Sequence, residues 1–149
     1  MSLQQGESSV TPFLWFDRNA EEAVDFYLTV FRNSAKHGEM KMGGKVLTVS
    51  FALDGQRFTA MNGGPLYKFT EAISFSVRCE TQAEIDNYWT KLTADGGSES
   101  QCGWLKDKYG LSWQIVPSNL ADLLKSQAQV QAMMGMKKLN IAVLEQAGK

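Results

Sequence analysis

Asn19-Ala-Glu-Glu-Ala-Val-Asp-Phe-Tyr27 and Thr81-Gln-Ala-Glu-Ile-Asp-Asn-Tyr-Trp89 are two copies of one helix start, 62 residues apart (Asn19 to Thr81). Glu22 matches Glu84, Phe26 matches Tyr88 and Tyr27 matches Trp89. Each copy puts a short polar side chain at the N-cap and a Glu three residues on. In such a capping box each side chain satisfies an orphan backbone N–H at the helix start. Apolar residues then recur at helical spacing: Ala20, Ala23, Val24, Tyr27, Val30 and Phe31 in the first copy, Ile85, Tyr88, Trp89 and Leu92 in the second. Gly96-Gly97 stops the second helix. A repeat of this kind governs the fold, because each copy is one supersecondary unit.

Working outward, a strand precedes each helix: 10–16 before the first and 72–79 before the second. Short strands follow. In the first half they cover 35–41, 45–53 and 56–62, with Gly43-Gly44 and Asp54-Gly55 as hairpin turns. In the second half they cover 99–101, 104–106 and 111–117, with Tyr109-Gly110 at the last turn. The final strands also align: Gly55 with Gly110, Phe58 with Trp113 and Met61 with Val116. The pattern is β-α-β-β-β twice, an α+β protein with modules at 10–64 and 72–117. Residues 1–9 read as a polar, flexible leader. Residues 118–149 read as a helical tail capped by Ser118 or Asn119, with an apolar stripe through Val130, Met133, Met134, Met136, Leu139, Ile141 and Leu144. Methionine packs adaptably, so two placements are open: against its own domain or against a partner subunit.

A formal net charge of −1 leaves no electrostatic footprint for nucleic acid or an anionic membrane. No apolar run approaches the roughly 18 residues that span a bilayer, and the polar start does not read as a secretory signal. Cys79 and Cys102 are the only cysteines and form no CxxC pair, so reduced thiols in the cytoplasm are the expectation. No G-x-S-x-G occurs, and no Cys or Ser has an evident activating base. Asn62-Gly-Gly-Pro65 is a turn rather than a strand–loop–helix phosphate cradle. Asp17, Glu22, Asp54 and Asp107 read as turn and cap residues, not as an acid–base pair. No catalytic residue is identified, and the partner to look for is a small molecule or another protein.

Six motifs carry a resemblance to a known family: Thr11-Pro-Phe-Leu-Trp-Phe-Asp17, Asn19-Ala-Glu-Glu-Ala23, Phe26-Tyr27, Met61-Asn-Gly-Gly-Pro65, Asp107-Lys-Tyr-Gly-Leu-Ser-Trp-Gln-Ile-Val-Pro117 and Met136-Lys-Lys-Leu-Asn-Ile141. Together they resemble the PhnB-like group, also called 3-demethylubiquinone-9 3-methyltransferase-like, of the glyoxalase (vicinal oxygen chelate) superfamily. The resemblance runs from Val10 to about Leu144. It implies the glyoxalase/bleomycin-resistance/dioxygenase-like fold, with paired βαβββ modules in a curved sheet, and it implies a homodimer. The superfamily's enzymes hold a divalent metal through the first and last strands of each repeat. By the family pattern and the two internal offsets those four positions fall on Val10, Thr59, Ala72 and Gln114. Two of these cannot ligate and two are weak neutral oxygen donors, whereas a divalent cation calls for anionic or imidazole ligands. No metal and no other cofactor is expected. His37, the single histidine, lies in another strand and reads as an exposed or edge residue.

Strand alternation, counted from those four positions, assigns the two faces. The concave face is expected to receive Pro12, Leu14 and Phe16, then Thr48, Ser50 and Ala52, Arg57, Thr59 and Met61, Ser74 and Ser76, and Ser112, Gln114 and Val116. Phe13, Trp15, Leu47, Val49, Phe51, Phe58, Ile73, Phe75, Trp113 and Ile115 are expected to face the helices. A floor of small hydroxyls, one amide and one guanidinium is the composition of a small-molecule site. The expected ligand pocket is Leu14, Phe16, Ser50, Arg57, Thr59, Met61, Ser74, Ser76 and Gln114. Arg57 either pairs with a ligand anion or points into solvent from the strand start. The functional expectation is a metal-free, cytoplasmic, small-molecule-binding homodimer. The alternative is a superfamily enzyme acting on a small metabolite.

Overall fold

Alternating apolar runs, tight Gly turns and two amphipathic helices become two βαβββ modules followed by a helical tail. The computed structural model describes residues 8–149, so most of the expected leader, residues 1–7, lies outside the described residues. In the first module β1 (Phe13–Phe16) leads to α1 (Ala20–Val30), and β2 (Ala35–Met42), β3 (Lys45–Leu53) and β4 (Gln56–Asn62) follow. In the second, β5 (Phe75–Cys79) leads to α2 (Gln82–Thr93), and β6 (Ser98–Glu99), β7 (Trp104–Lys106) and β8 (Ser112–Pro117) follow. The first sheet has the order β1-β4-β3-β2 and the second β5-β8-β7-β6, so both modules share one topology. In each, the first and last strands run parallel, and the helix carries the chain from the first strand across to the strand at the opposite edge. The chain divides into compact units on either side of Lys68 and Phe69.

The first unit buries Leu14 and Phe16 of β1, Val49, Phe51 and Leu53 of β3, and Phe58 and Ala60 of β4, beneath Ala20, Ala23, Val24, Tyr27 and Val30 of α1. Tyr27, Phe51 and Phe58 form a stacked column with ring centroids 6.5 and 5.3 Å apart. The second unit sets Ile85, Tyr88, Trp89 and Leu92 of α2 in its core with Cys79, Leu105, Trp113 and Ile115. Trp89 donates its indole N–H to Glu99 at 2.8 Å. Buried Asp107 accepts from the backbone N–H groups of Tyr109 and Leu111 and from the Trp113 indole, the turn role read from the sequence. His37 lies on the wholly exposed edge strand β2.

The helix starts differ from expectation. Thr81 accepts a hydrogen bond from the Glu84 N–H, as the capping pattern requires. Asn19 makes no side-chain cap bond. Instead Asn62, at the far end of β4, accepts from the Ala20 N–H at 2.8 Å and donates to the Val46 carbonyl and to Glu21. The cap of α1 is therefore supplied across 42 residues of sequence.

The tail opens on a 3-10 turn, Leu120–Leu124, whose N-cap Asn119 makes no side-chain bond. Its helices α3 (Gln127–Met134) and α4 (Ile141–Ala147) are capped by Ser126 and Asn140. Gln129 closes the Ser126 capping box and donates to the Leu144 carbonyl. Gln82 accepts from the Ile141 N–H and donates to the Leu139 carbonyl, tying the tail to α2. Of the expected stripe, Leu139 and Leu144 are fully buried, whereas Met134 is largely exposed. Among the described residues no helix is long and apolar enough to cross a membrane.

Candidate functional site

Each sheet has one face under its helix and one turned away from it. Register gives the open face of the first sheet in rows. The middle row is Phe13, Thr59, Ser50 and Gly38; the next along the strands is Trp15, Met61, Thr48 and Met40. On the other side of the middle row lie Arg57, Ala52 and Ala35. The structure thus brings Ser50, Arg57, Thr59 and Met61 together, as expected. Leu14 and Phe16 are elsewhere. They pair with Ala60 and Asn62, are buried at 5% and 3% exposure, and belong to the helix-side core. Phe13 and Trp15, assigned to the core by the sequence reading, occupy the open face instead; Phe13 is 56% exposed.

The cause is one residue of connector. Three residues separate β1 from α1, Asp17 to Asn19, but only Glu80 and Thr81 separate β5 from α2. An offset read from the helices therefore slips by one when carried back to the strands. In a period-two structure a slip of one turns every side chain to the other face. The corrected partner of Ala72 in the first module is Ser9 rather than Val10.

On the second sheet the serines and Gln114 fall together as expected, but Ile73, expected to face the helix, is 57% exposed and lies ahead of β5. Ser76 pairs with Gln114, and Gln114 donates to Ser74 Oγ at 2.9 Å. Trp104 and Lys106, two residues the sequence reading did not include, share this face through their pairing with Gln114 and Ser112. Lys106 pairs with Glu71, and that hydrogen bond holds the Glu71 carboxyl below its ordinary range. Ser112 is only 1% exposed, and its hydroxyl has no hydrogen-bond partner among the described residues.

The segment after β4 shapes one end of the first open face. Trp15 donates its indole N–H to the Gly64 carbonyl at 2.9 Å, and Tyr67 meets the ring edge-on at 5.0 Å. A Cβ on Gly63 would lie 2.3 Å from the indole, so only glycine lets the chain pass that closely. Thr59 and Ser50 make no side-chain hydrogen bond among the described residues.

The superfamily's metal-ligand positions fall on Ser9 and Thr59 in the first module and Ala72 and Gln114 in the second. Ala72 has no donor atom, and the other three offer only neutral oxygens. These groups do not fit a divalent cation, which needs charged or imidazole ligands to offset its lost hydration. Among the described residues no three His, Cys, Asp or Glu side chains gather to hold one elsewhere.

A family model described as 3-demethylubiquinone-9 3-methyltransferase matches residues 8–116. The chain belongs to that family. A structure titled putative 3-demethylubiquinone-9 3-methyltransferase, PhnB protein, from Bacillus cereus is 33% identical; the match covers 73% of this chain and 99% of that one, with a TM-score of 0.67. Two more distant structures share the fold. The fosfomycin resistance protein FosX of Mesorhizobium loti is 14% identical over 83% of this chain and all of its own, at a TM-score of 0.60. A glyoxylase/bleomycin resistance protein/dioxygenase domain from a Frankia species is 13% identical over 75% of this chain and 93% of its own, at 0.51. The fold is thus the glyoxalase/bleomycin-resistance/dioxygenase type. No curated protein matches the chain.

Proposed function

We propose that this PhnB-like protein is a metal-free, small-molecule-binding homodimer of the cytoplasm, holding a polar or amphipathic organic ligand on the open faces of its sheets. One observation carries the reading: the Ser112 hydroxyl, buried without a partner beside the position of Gln114. Leaving a hydroxyl dry and unpaired costs about 1–3 kcal/mol, so such a group calls for an explanation. A ligand oxygen or nitrogen reaching that face supplies one. Ser50 and Thr59 on the first sheet, with no side-chain partner among the described residues, support the same reading.

The test is a thermal-shift screen of the metal-stripped protein against divalent metals and a small-metabolite panel, repeated with Ser112→Ala. The reading expects shifts with organic compounds alone, weakened in the variant, and an unliganded variant at least as stable as the parent. A shift with a metal refutes the metal-free assignment, and a panel without any organic hit refutes the binding role. Light scattering of the full chain tests the dimer. The family description favours a second reading, an enzyme that methylates a demethylated quinone. Turnover of such a substrate with a methyl donor would establish it.

A further inference from the structure

On the second sheet an ion pair crosses the strand that carries the unpaired hydroxyl. Ser112 of β8 is paired in the ladder with Lys106 of β7, and both stand on the face turned from α2. Lys106 gives its ammonium to Glu71, which lies three residues ahead of Ser74 on the approach to β5. In the order β5-β8-β7 the strand between those two points is β8, so the ion pair passes over the end of β8 that holds Ser112. Neither Glu71 nor Lys106 has a further side-chain partner among the described residues. Their side chains are 60% and 40% exposed, and an ion pair that open to water is weakly held.

One row along the strands, Trp104, Gln114 and Ser76 stand abreast. Trp104 is half-buried; it makes no ring contact and its indole N–H meets no acceptor among the described residues. It is two residues from Lys106 on one strand, hence roughly 6.5 Å away on the same face. The row beyond holds Val116 and Arg78, on the far side of Gln114 from Ser112. A carboxylate held at Arg78 would leave the Ser112 hydroxyl unpaired, whereas one held at Lys106 lies beside it.

We propose that Glu71 holds the place of a ligand's carboxylate. A small organic acid carrying a flat ring displaces it, its carboxylate accepting from the Lys106 ammonium and the Ser112 hydroxyl and its ring lying on Trp104. The inference rests on the binding role proposed above and names the ligand class for the second module. The exchange replaces one carboxylate by another at Lys106, so it brings no uncompensated charge to the face. It also gains a bond that Glu71 does not make, since Ser112 is without a partner while Glu71 is in place. A neutral ligand would leave the ion pair across β8 and the hydroxyl beneath it unpaired.

The experiment titrates the full-length protein calorimetrically with acetate, benzoate, phenylacetate and 3-phenylpropionate, and with the matching amides. The ring acids are expected to bind about tenfold or more tightly than acetate, and about tenfold or more tightly than their own amides. Glu71→Gln, which removes the internal competitor, should tighten the acids about two- to fivefold. A gain in affinity cannot come from misfolding. Lys106→Met should weaken the acids about tenfold, and in that background the gain from Glu71→Gln should vanish. Unaltered or weaker binding by Glu71→Gln, or a gain that survives without Lys106, would overturn the displacement. Amides binding as well as acids would overturn the carboxylate, and acetate binding as well as the ring acids would overturn the role of Trp104. If no acid binds while the metabolite panel still yields organic hits, the ligand class is wrong and the binding role stands. If neither yields binding, both fall.

Discussion

Replacing Asn62 by alanine separates two accounts of how α1 begins. The sequence places the cap at Asn19, whereas in the structure the Ala20 N–H is satisfied by Asn62 from the end of β4. Asn62→Ala removes that cap, which is worth about 1 kcal/mol at typical N-caps. It also removes the donor to the Val46 carbonyl at 3.1 Å, about another 1 kcal/mol for a part-buried bond. The hydrogen bond to the Glu21 carboxylate adds a few tenths at most where water competes. The expected loss is about 2 kcal/mol, or roughly 4–8 °C in Tm for a chain of this size. Asn19→Ala should cost less than about 0.5 kcal/mol, because its side chain caps nothing. Urea unfolding followed by circular dichroism, with equal m-values for all three proteins, measures both. An Asn19→Ala loss equal to or larger than that of Asn62→Ala would refute the long-range cap.

Three other perturbations probe the scaffold. Gly63→Ala drives a methyl into the Trp15 indole, and overpacking of this kind costs about 1–3 kcal/mol; an unmoved unfolding midpoint would show that the segment passes elsewhere. Leu144→Ala should lose about 2–5 kcal/mol as a fully buried leucine, against less than about 0.5 kcal/mol for exposed Met134→Ala, both read from thermal unfolding; a Leu144 value as small as that of Met134 would remove the tail from the core. Asp86 is held below its ordinary value of 3.8 by hydrogen bonds from Gln82 and then Lys138. Its contribution is therefore present above the unfolded pKa and lost as pH falls through the lowered folded one. Because Gln82 also binds the Ile141 N–H, the Ile141 amide resonance should titrate with a midpoint below 3.8; a midpoint at or above that value would contradict the Gln82–Asp86 link.

The fold was legible because its signals are redundant. Helix stripes, hairpin glycines and the two internal offsets all point to the same βαβββ unit, and β3, β4 and β7 begin and end where turn chemistry put them. Strands β1 and β5 start three residues later than the apolar pattern suggests, since residues that look extended need a neighbour to pair with before they form a ladder. The cap by Asn62 left no local trace, because the acceptor and the N–H it serves are 42 residues apart. Likewise, nothing in the Met-rich tail shows which of its apolar residues are covered. That depends on Gln82 and Gln129, polar residues whose reach is three-dimensional.

The face of each candidate residue was legible on most of the second sheet and on half of the first, and one physical difference accounts for the contrast. Leading into β5, serine and apolar residues alternate, Ser74, Phe75, Ser76 and Val77, so the sequence itself declares which face is polar. In β1 the run Phe13-Leu-Trp-Phe16 is apolar at every position, and alternation cannot choose between its faces. The choice then falls to register, which the three-residue connector sets and the helix offset misreports. The open face consequently gains Phe13 and Trp15 in place of Leu14 and Phe16. Both candidate pairs are apolar, yet the exchange alters what the face can bind. Leucine would offer a featureless floor. An indole whose N–H is already spent on Gly64, beside an exposed phenyl ring, puts aromatic surface next to Thr59 and Met61 instead.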